Sequence, residues 1–421
     1  MNSAARIRCV GCFAIGIALS AAHPIGIILS VGAPAVMLIQ PTRQWAYTSA
    51  LFYYGGALWP IIPGARNFFG PRASVLETVA LWIVSSLLLA LPWFLAWTKD
   101  RRQLLWRAPA GLMLSVLPPL GLIGWASPLT SAGFLFPGTS WFGLIGCAFA
   151  TGALAWRPKL AIVVLVTLAI GINLSFVSAG DVPALTGWQG VNTNFGAESK
   201  EQSSSLAEFQ AAEFIQGQAV NSNAHVVVFP ESVVSTWTAA TDSFWEDTID
   251  RLRTAGKIII VGARVIETQP ESAFSADDFA VSIATLRSAP TGPLVKSASH
   301  ADSWPTYRNV LIVRGHENTI FDQRIPVPVS MWRPFARSGV QLHLAGPAVL
   351  RVAGQRAAVL ICYEQLLTWP ILTSLLRKPT VIVAVANDYW ARGTTIPASQ
   401  LTAVRAWARL MALPYVSATN I

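Results

Sequence analysis

Ala357-Ala358-Val359-Leu360-Ile361-Cys362-Tyr363-Glu364 is an apolar run that ends on a thiol, with an acid two residues beyond it. An unbroken apolar stretch of this length suits a strand buried on both faces, and α/β active sites form just past the carboxyl ends of such strands. Two other stretches share the pattern. Val226-Val227-Val228-Phe229 runs into Pro230-Glu231-Ser232, and Val381 to Val385 runs into Ala386-Asn387-Asp388-Tyr389-Trp390. A strand-terminal Glu is by itself more often a cap or a surface charge, and a lone Cys an inert core residue. Three such ends in one region constrain each other.

Around these ends the chain alternates between strand-like and helix-like stretches. Strands are expected at Gln189 to Asn194, Val226 to Phe229, Lys257 to Val261 and at about 279–286, 308–313, 349–353, 357–361 and 380–385. Helices are expected at 199–222, 243–255 and about 397–412. Strands alternating with helices argue for layered α/β packing. The stretch 268–305, rich in Ser, Ala, Pro and Thr, reads as a long excursion.

Upstream of residue 180 the pattern changes to apolar stretches at about 9–21, 24–40, 46–63, 75–97, 108–126, 133–155 and 159–179. Most approach the roughly 17 to 25 residues that cross a bilayer. The first, behind Arg6 and Arg8, has the length of a signal-peptide core, but it lacks a small-residue cleavage site and is read as a retained span. Trp45, Trp59, Trp93, Trp97, Trp106 and Trp156 lie near segment ends, where amphipathic rings suit the headgroup layer. With a cytoplasmic N-terminus and seven crossings, the inner side holds Arg6, Arg8, Arg43, Lys99, Arg101, Arg102, Arg107, Arg157 and Lys159, and the outer side Arg66 and Arg72. That asymmetry satisfies the positive-inside rule and puts everything after about residue 180 outside, in a bacterial cell the periplasm beyond the inner membrane. The expected organisation is a transmembrane bundle over 1–180 and an α/β domain over 187–421.

Composition agrees with that division. Charged residues make up 12% of the 421 residues and hydrophobic ones 53%, half the charge of about 25% usual in soluble domains. A purely soluble protein is excluded on that ground. The net charge of +9 is scattered or sits beside apolar runs, so no nucleic-acid partner is expected. Cys9, Cys12 and Cys147 fall in or beside apolar spans, and the Cys9-Val10-Gly11-Cys12 spacing lacks the strand-helix context or second ligand pair of a redox or metal site. No cofactor and no metal are expected. Cys362 stands alone in the α/β region.

Pro230-Glu231-Ser232, Ile361-Cys362-Tyr363-Glu364, Asn387-Asp388 with Trp390, and Ala418-Thr419-Asn420 occur in the order and approximate spacing of the nitrilase (carbon-nitrogen hydrolase) superfamily. With its apolar N-terminal half, the chain resembles apolipoprotein N-acyltransferase over nearly its whole length, and resembles still more closely the TraB-type conjugal transfer proteins. The resemblance implies an αββα sandwich, a Glu-Lys-Cys triad, a conjugation machinery as partner and a membrane lipid or lipoprotein as substrate. In that scheme Cys362 is the nucleophile, Glu231 the general base, Glu364 a supporting acid and the Tyr363 N–H an oxyanion donor.

Two positions depart from the family pattern. Aligning Val327-Pro328 with the family's Val-Pro segment puts Gln323 where the Lys belongs and Met331 where a second Glu belongs. Losing a charged oxyanion donor raises a barrier by about 3 to 4 kcal/mol. A one-residue slip would bring in Arg324 instead, a permanent cation of different shape. Relatives also continue beyond the Ala-Thr-Asn element that precedes Ile421, so a sheet lacking an edge is expected. Two functions stay open: thiol-dependent acyl transfer or amide hydrolysis, and a nitrilase scaffold that has lost turnover and serves a conjugation or envelope complex by binding.

Overall fold

The computed structural model describes residues 3–70, 74–196, 205–267, 306–333 and 339–421. Its N-terminal region is helical: α1 (Ser3–Ser20), α2 (Pro24–Ser30), α3 (Ala33–Leu38), α4 (Arg43–Leu58), α5 (Ile61–Phe69), α6 (Val75–Ala96), α7 (Leu104–Val116), α8 (Ala132–Leu135), α9 (Ser140–Trp156) and α10 (Pro158–Ser178). Thr42 caps α4 by accepting from Trp45 N at 3.3 Å, and Ser74 caps α6 by accepting from Leu76 N at 3.2 Å. Glycine lets α1 and α4 approach closely: a Cβ on Gly16 would lie 2.2 Å from the Tyr53 carbonyl oxygen.

Three of these helices, α1, α6 and α10, are long and apolar enough to cross a membrane. The stretch expected to span 24–40 is instead two short helices broken at Val31-Gly32. The stretch at 108–126 is α7, which stops at Val116. Leu117-Pro118-Pro119 follows, and a residue before proline avoids the helical region while proline offers no N–H. Thirteen residues of helix extend only about 20 Å.

The second region builds two sheets. β1 (Trp188–Gly190), α11 (Ser205–Asn221), β2 (Val226–Val228), α12 (Ala239–Thr254), β3 (Ile258–Ile266), β4 (Tyr307–Gly315) and β5 (Thr319–Asp322) precede β6 (Leu350–Val352), β7 (Gln355–Ile361), α13 (Thr368–Leu375), β8 (Val381–Asn387), α14 (Ile396–Met411) and β9 (Tyr415–Asn420). The first sheet has the order β1-β2-β3-β4-β5 and the second β6-β7-β8-β9. The first three strands of one sheet and the last three of the other run parallel, while β3-β4-β5 and β6-β7 are antiparallel.

Strand alternation sorts the side chains into layers. Val228, Ile258 and Ile260 of one sheet meet Val359, Ile361 and Val383 of the other between the sheets. The opposite faces of β2 and β3, through Val227 and Ile259, pack under Ile215 of α11 and Trp245 of α12. Ala358, Leu360 and Ile382 point the other way, onto Ile371 of α13 and Trp407 of α14. This is an αββα sandwich. Its last core layer runs on without a break into Leu129, Ala132 and Leu144 of the helical region, and the Thr402 hydroxyl donates to the Ala22 carbonyl at 3.0 Å. The α14 layer is thus the seam between the two regions.

Most expected strands and helices are present within a few residues. The expected strand at 279–286 and the excursion around it lie outside the described residues. Three elements were not expected: β5, α13 and β9. β9 carries Ala418-Thr419-Asn420 and is itself the edge of the second sheet, paired in register with Ile382 to Asn387.

Candidate functional site

β2 delivers Glu231 by a short exit at Phe229-Pro230, where Phe229 N donates to Ile260 O at 2.8 Å and Gly262 N to Pro230 O at 3.1 Å. Glycine is required opposite this exit, because a Cβ on Gly262 would lie 2.5 Å from Glu231 Cα. Glu231 is buried, and both of its oxygens are engaged. Oε1 accepts from Asn309 Nδ2 at 2.6 Å, and Oε2 accepts from the Asn387 backbone N–H at 3.0 Å.

β7 delivers Cys362 on a sharper turn. Its φ of 50° lies in the left-handed region, which costs a non-glycine residue about 1 to 3 kcal/mol and is held only where surrounding structure enforces it. A 3₁₀ turn, Cys362–Leu366, follows at once. The buried thiol lies close enough to the Glu231 carboxylate and the Asn387 N–H for both to act on it. Burial pushes the thiol well above its ordinary value, and the charges of Glu231 and Asp388 push it the same way. Burial raises Glu231 too, against hydrogen bonds from Asn309, Cys362 and Asn387 and the charge of Arg264.

Gln323 is brought to the same place. Its Oε1 accepts from Asn309 Nδ2 at 2.9 Å, and its Nε2 donates to the Ile361 carbonyl, one residue before Cys362, at 3.1 Å. A line of neutral amides therefore joins the carboxylate to the turn that carries the thiol. Asn309, at the start of the apolar half of β4, is the residue sequence reasoning missed. Its signal was an amide directly before Val310-Leu311-Ile312-Val313, a residue type depleted in strands.

Glu364 and Arg324 occupy the other side of the turn. Glu364 Oε1 accepts from the backbone N–H groups of Arg324 and Ile325 at 2.8 and 2.9 Å, and Oε2 from Ile361 N at 3.0 Å. Arg324 Nε lies 3.7 Å from Glu364 Oε1, and the guanidinium donates to the Val359 and Pro370 carbonyls. Burial raises the Glu364 carboxyl, opposed first by Arg324. The slip that would put Arg324 beside Glu231 is therefore not what the fold makes. Met331 is half-buried on the Val327–Trp332 turn.

β8 ends at Asn387-Asp388. Asn420 of β9 donates to Asn387 Oδ1 at 2.8 Å and accepts from Thr193 Oγ1 at 2.8 Å, fixing this strand end. Asp388 is 1% exposed, and its Oδ1 has no hydrogen-bond partner among the described residues. Burial first, then the Glu231 charge, pushes its carboxyl up to about 7, with Gln400 of α14 acting against them. Beyond it, Trp390 meets Phe68 of α5 edge to face at 6.0 Å, and Asn67 Nδ2 donates to Arg392 O at 3.0 Å. A helix of the N-terminal region thus walls the loop next to the thiol.

This arrangement supplies a proton acceptor for a thiol, a second acid and several aligned amides, with the positive charge replaced by neutral hydrogen-bond donors. Comparison with known proteins places the chain beside two curated relatives. It is 32% identical over 412 residues to conjugal transfer protein TraB of Agrobacterium fabrum, covering 92% of this chain and 86% of that protein. It is 28% identical over 386 residues to probable conjugal transfer protein TraB of Sinorhizobium fredii, covering 90% and 88%. No family model matches the chain. Among solved structures, an amidase from Nesterenkonia sp. aligns at 13% identity and a TM-score of 0.31 over 57% of this chain and 79% of that one. The sandwich rests on the packing described above and not on that likeness.

Proposed function

The chain belongs to the TraB family of conjugal transfer proteins, and on that premise we propose that it is a membrane-anchored, thiol-dependent acyl transferase or amidase working in plasmid conjugation. The observation that carries this reading is the Cys362 thiol, held at a left-handed strand end beside a buried carboxylate. Glu231 takes the thiol proton as Sγ bonds to a carbonyl carbon of an ester or amide. The Tyr363 N–H steadies the oxyanion, and the leaving alcohol or amine departs with the proton from Glu231. Water or an amine then takes the acyl group and frees the thiol. Asn309 and Asn387 position Glu231. Glu364 ties the Cys362 turn to the chain after β5.

The same reading makes residues 1–180 a multi-span bundle of the bacterial inner membrane and 187–421 its periplasmic domain. Three long apolar helices and the basic bias of the inner loops support it. Alkaline phosphatase fused after Ile421 is then active, and an inactive fusion reverses the orientation.

A second reading, a scaffold without turnover, is favoured by Gln323, whose amide is committed to Ile361 O and Asn309 in place of a charged donor. Labelling separates the two. Iodoacetamide or an acyl-phosphonate probe applied to the purified full chain labels Cys362 selectively if the site is active, and labelling fades in Glu231→Ala. An unreactive Cys362, with plasmid transfer preserved in Cys362→Ala, supports the scaffold.

A further inference from the structure

Between α5, α6 and the turn after Cys362 lies a narrow cleft of about 90 Å³, open on one side. Its aromatic walls are Phe68, Phe69, Trp125, Tyr363 and Trp390, and Gln400 closes its polar end. Ile61 of α5, Leu81 of α6, Ile396 of α14 and Leu366 add aliphatic wall. Gln400 is 2% exposed; its amide adjoins the Asp388 carboxylate, while its Oε1 has no hydrogen-bond partner among the described residues. The unpaired Oδ1 of Asp388 belongs to the carboxylate that Gln400 adjoins.

Buried amide and carboxylate atoms left unpaired cost free energy, so they mark a place where a ligand's donors are wanted. No Lys or Arg lines the cleft among the described residues. Aromatic faces attract cations, and an acid behind them adds to that attraction. We propose that this cleft binds an organic ammonium group, seated against Trp390, Tyr363 and Phe68, hydrogen-bonded to Gln400 Oε1 and backed by Asp388. The ammonium is carried on an apolar chain that follows the aliphatic wall between α5 and α6. Tyr363 directly follows Cys362 in the chain, so the cleft borders the turn that carries the thiol. The inference deepens the proposed enzymatic reading by naming what a substrate carries, but its binding step does not need the thiol to react.

The ammonium has two sources, a lipid headgroup or a soluble amine, and the test distinguishes them. The full chain in dodecyl maltoside at pH 8, above the Asp388 value of about 7, is titrated with octylammonium, octanol or octanoate while tryptophan emission and the thermal midpoint are followed. The cation is expected to give a saturable change at concentrations about tenfold below those octanol needs. Asp388→Asn and Gln400→Leu, each close to isosteric, are expected to weaken it by about tenfold. Octanol binding as well as the cation, or both variants binding like the natural protein, overturns the proposal. In nanodiscs of phosphatidylglycerol the cation still shifts the midpoint. Loss of that shift in phosphatidylethanolamine discs identifies the lipid headgroup as occupant, an equal shift in both identifies a soluble amine, and no shift in either overturns the proposal. Cys362→Ser keeps the binding, so an inert thiol counts against turnover alone and a lost shift counts against the cleft alone.

Discussion

Glu231 and Glu364 are buried carboxylates on opposite sides of the Cys362 turn, and they are held by different means. Glu364, fully buried, accepts three backbone N–H groups and faces the Arg324 guanidinium. Glu231 accepts one backbone N–H and the Asn309 amide, has the thiol beside it, and feels the charge of Arg264 without a hydrogen bond to it among the described residues. A carboxylate saturated by fixed donors and a buried cation has little freedom to exchange a proton. One held by neutral donors next to an S–H group retains it. The contrast assigns Glu364 to holding the turn and Glu231 to chemistry.

Removing Glu364 should have the largest effect. Glu364→Ala leaves Arg324 buried without its partner and three N–H groups unsatisfied, a loss of about 3 to 5 kcal/mol. The thermal midpoint of the full chain in micelles should fall steeply, with proteolysis between β5 and α13. A midpoint close to the natural one would remove the structural role given to Glu364.

Glu231→Gln should invert that outcome. The substitution keeps size and most hydrogen bonds, so stability changes by about 1 kcal/mol. Loss of a positioned base should slow Cys362 alkylation about 100-fold. If Glu231→Gln unfolds the domain while alkylation of the surviving folded fraction is unchanged, the two acids have been assigned the wrong way round.

Asp388 adds a pH test. Its carboxyl rises from the ordinary Asp range to about 7 on folding, so between about pH 4 and pH 7 the folded state binds the extra proton. That stability is fully present below the unfolded value and is lost as pH rises through the folded one, at up to about 1.4 kcal/mol per pH unit. Thermal midpoints measured from pH 4.5 to 8 should decline for the natural chain, and the decline should flatten in Asp388→Asn. A parallel decline in the variant would place the titrating group elsewhere.

How much of this was legible depended on where the determining contacts lay. The strands that end at Glu231, Cys362 and Asp388 were readable because a strand buried on both faces needs an unbroken apolar run, and Val226-Val227-Val228 and Ala357 to Ile361 are such runs. β5, with Thr319 and Asp322 at its ends, is a short strand whose pairing to β4 supplies what its own sequence does not. β9 alternates small and polar residues, and only its register against β8 makes it a strand. Asn309 was invisible for a similar reason. Its partners, Glu231 and Gln323, are 78 and 14 residues away, and nothing local announces the bond. In the helical region, apolar composition marked segments well but not their breaks, since Leu117-Pro118-Pro119 lies inside a continuously apolar stretch.

The smallest expected effect belongs to a second Arg-carboxylate pair, on β4 and β5. Arg308 Nε and Nη2 donate to Asp322 Oδ1 and Oδ2 at 2.6 and 2.7 Å, a tighter and more complete geometry than the 3.7 Å approach of Arg324 to Glu364. Distance alone would rank Arg308 first. Its side chain, however, is 34% exposed and that of Asp322 26%, so water competes for both charges in either state and exposed pairs of this kind contribute about 0.2 to 1 kcal/mol. Truncating Arg308 to Ala leaves Asp322 free to hydrate, whereas truncating Glu364 leaves the Arg324 charge buried with only neutral acceptors. Arg308→Ala should lower the midpoint by no more than a few degrees and lose part of even that difference in high salt. An Arg308→Ala effect as large as that of Glu364→Ala would show that geometry, and not burial, separates the two sides of this site.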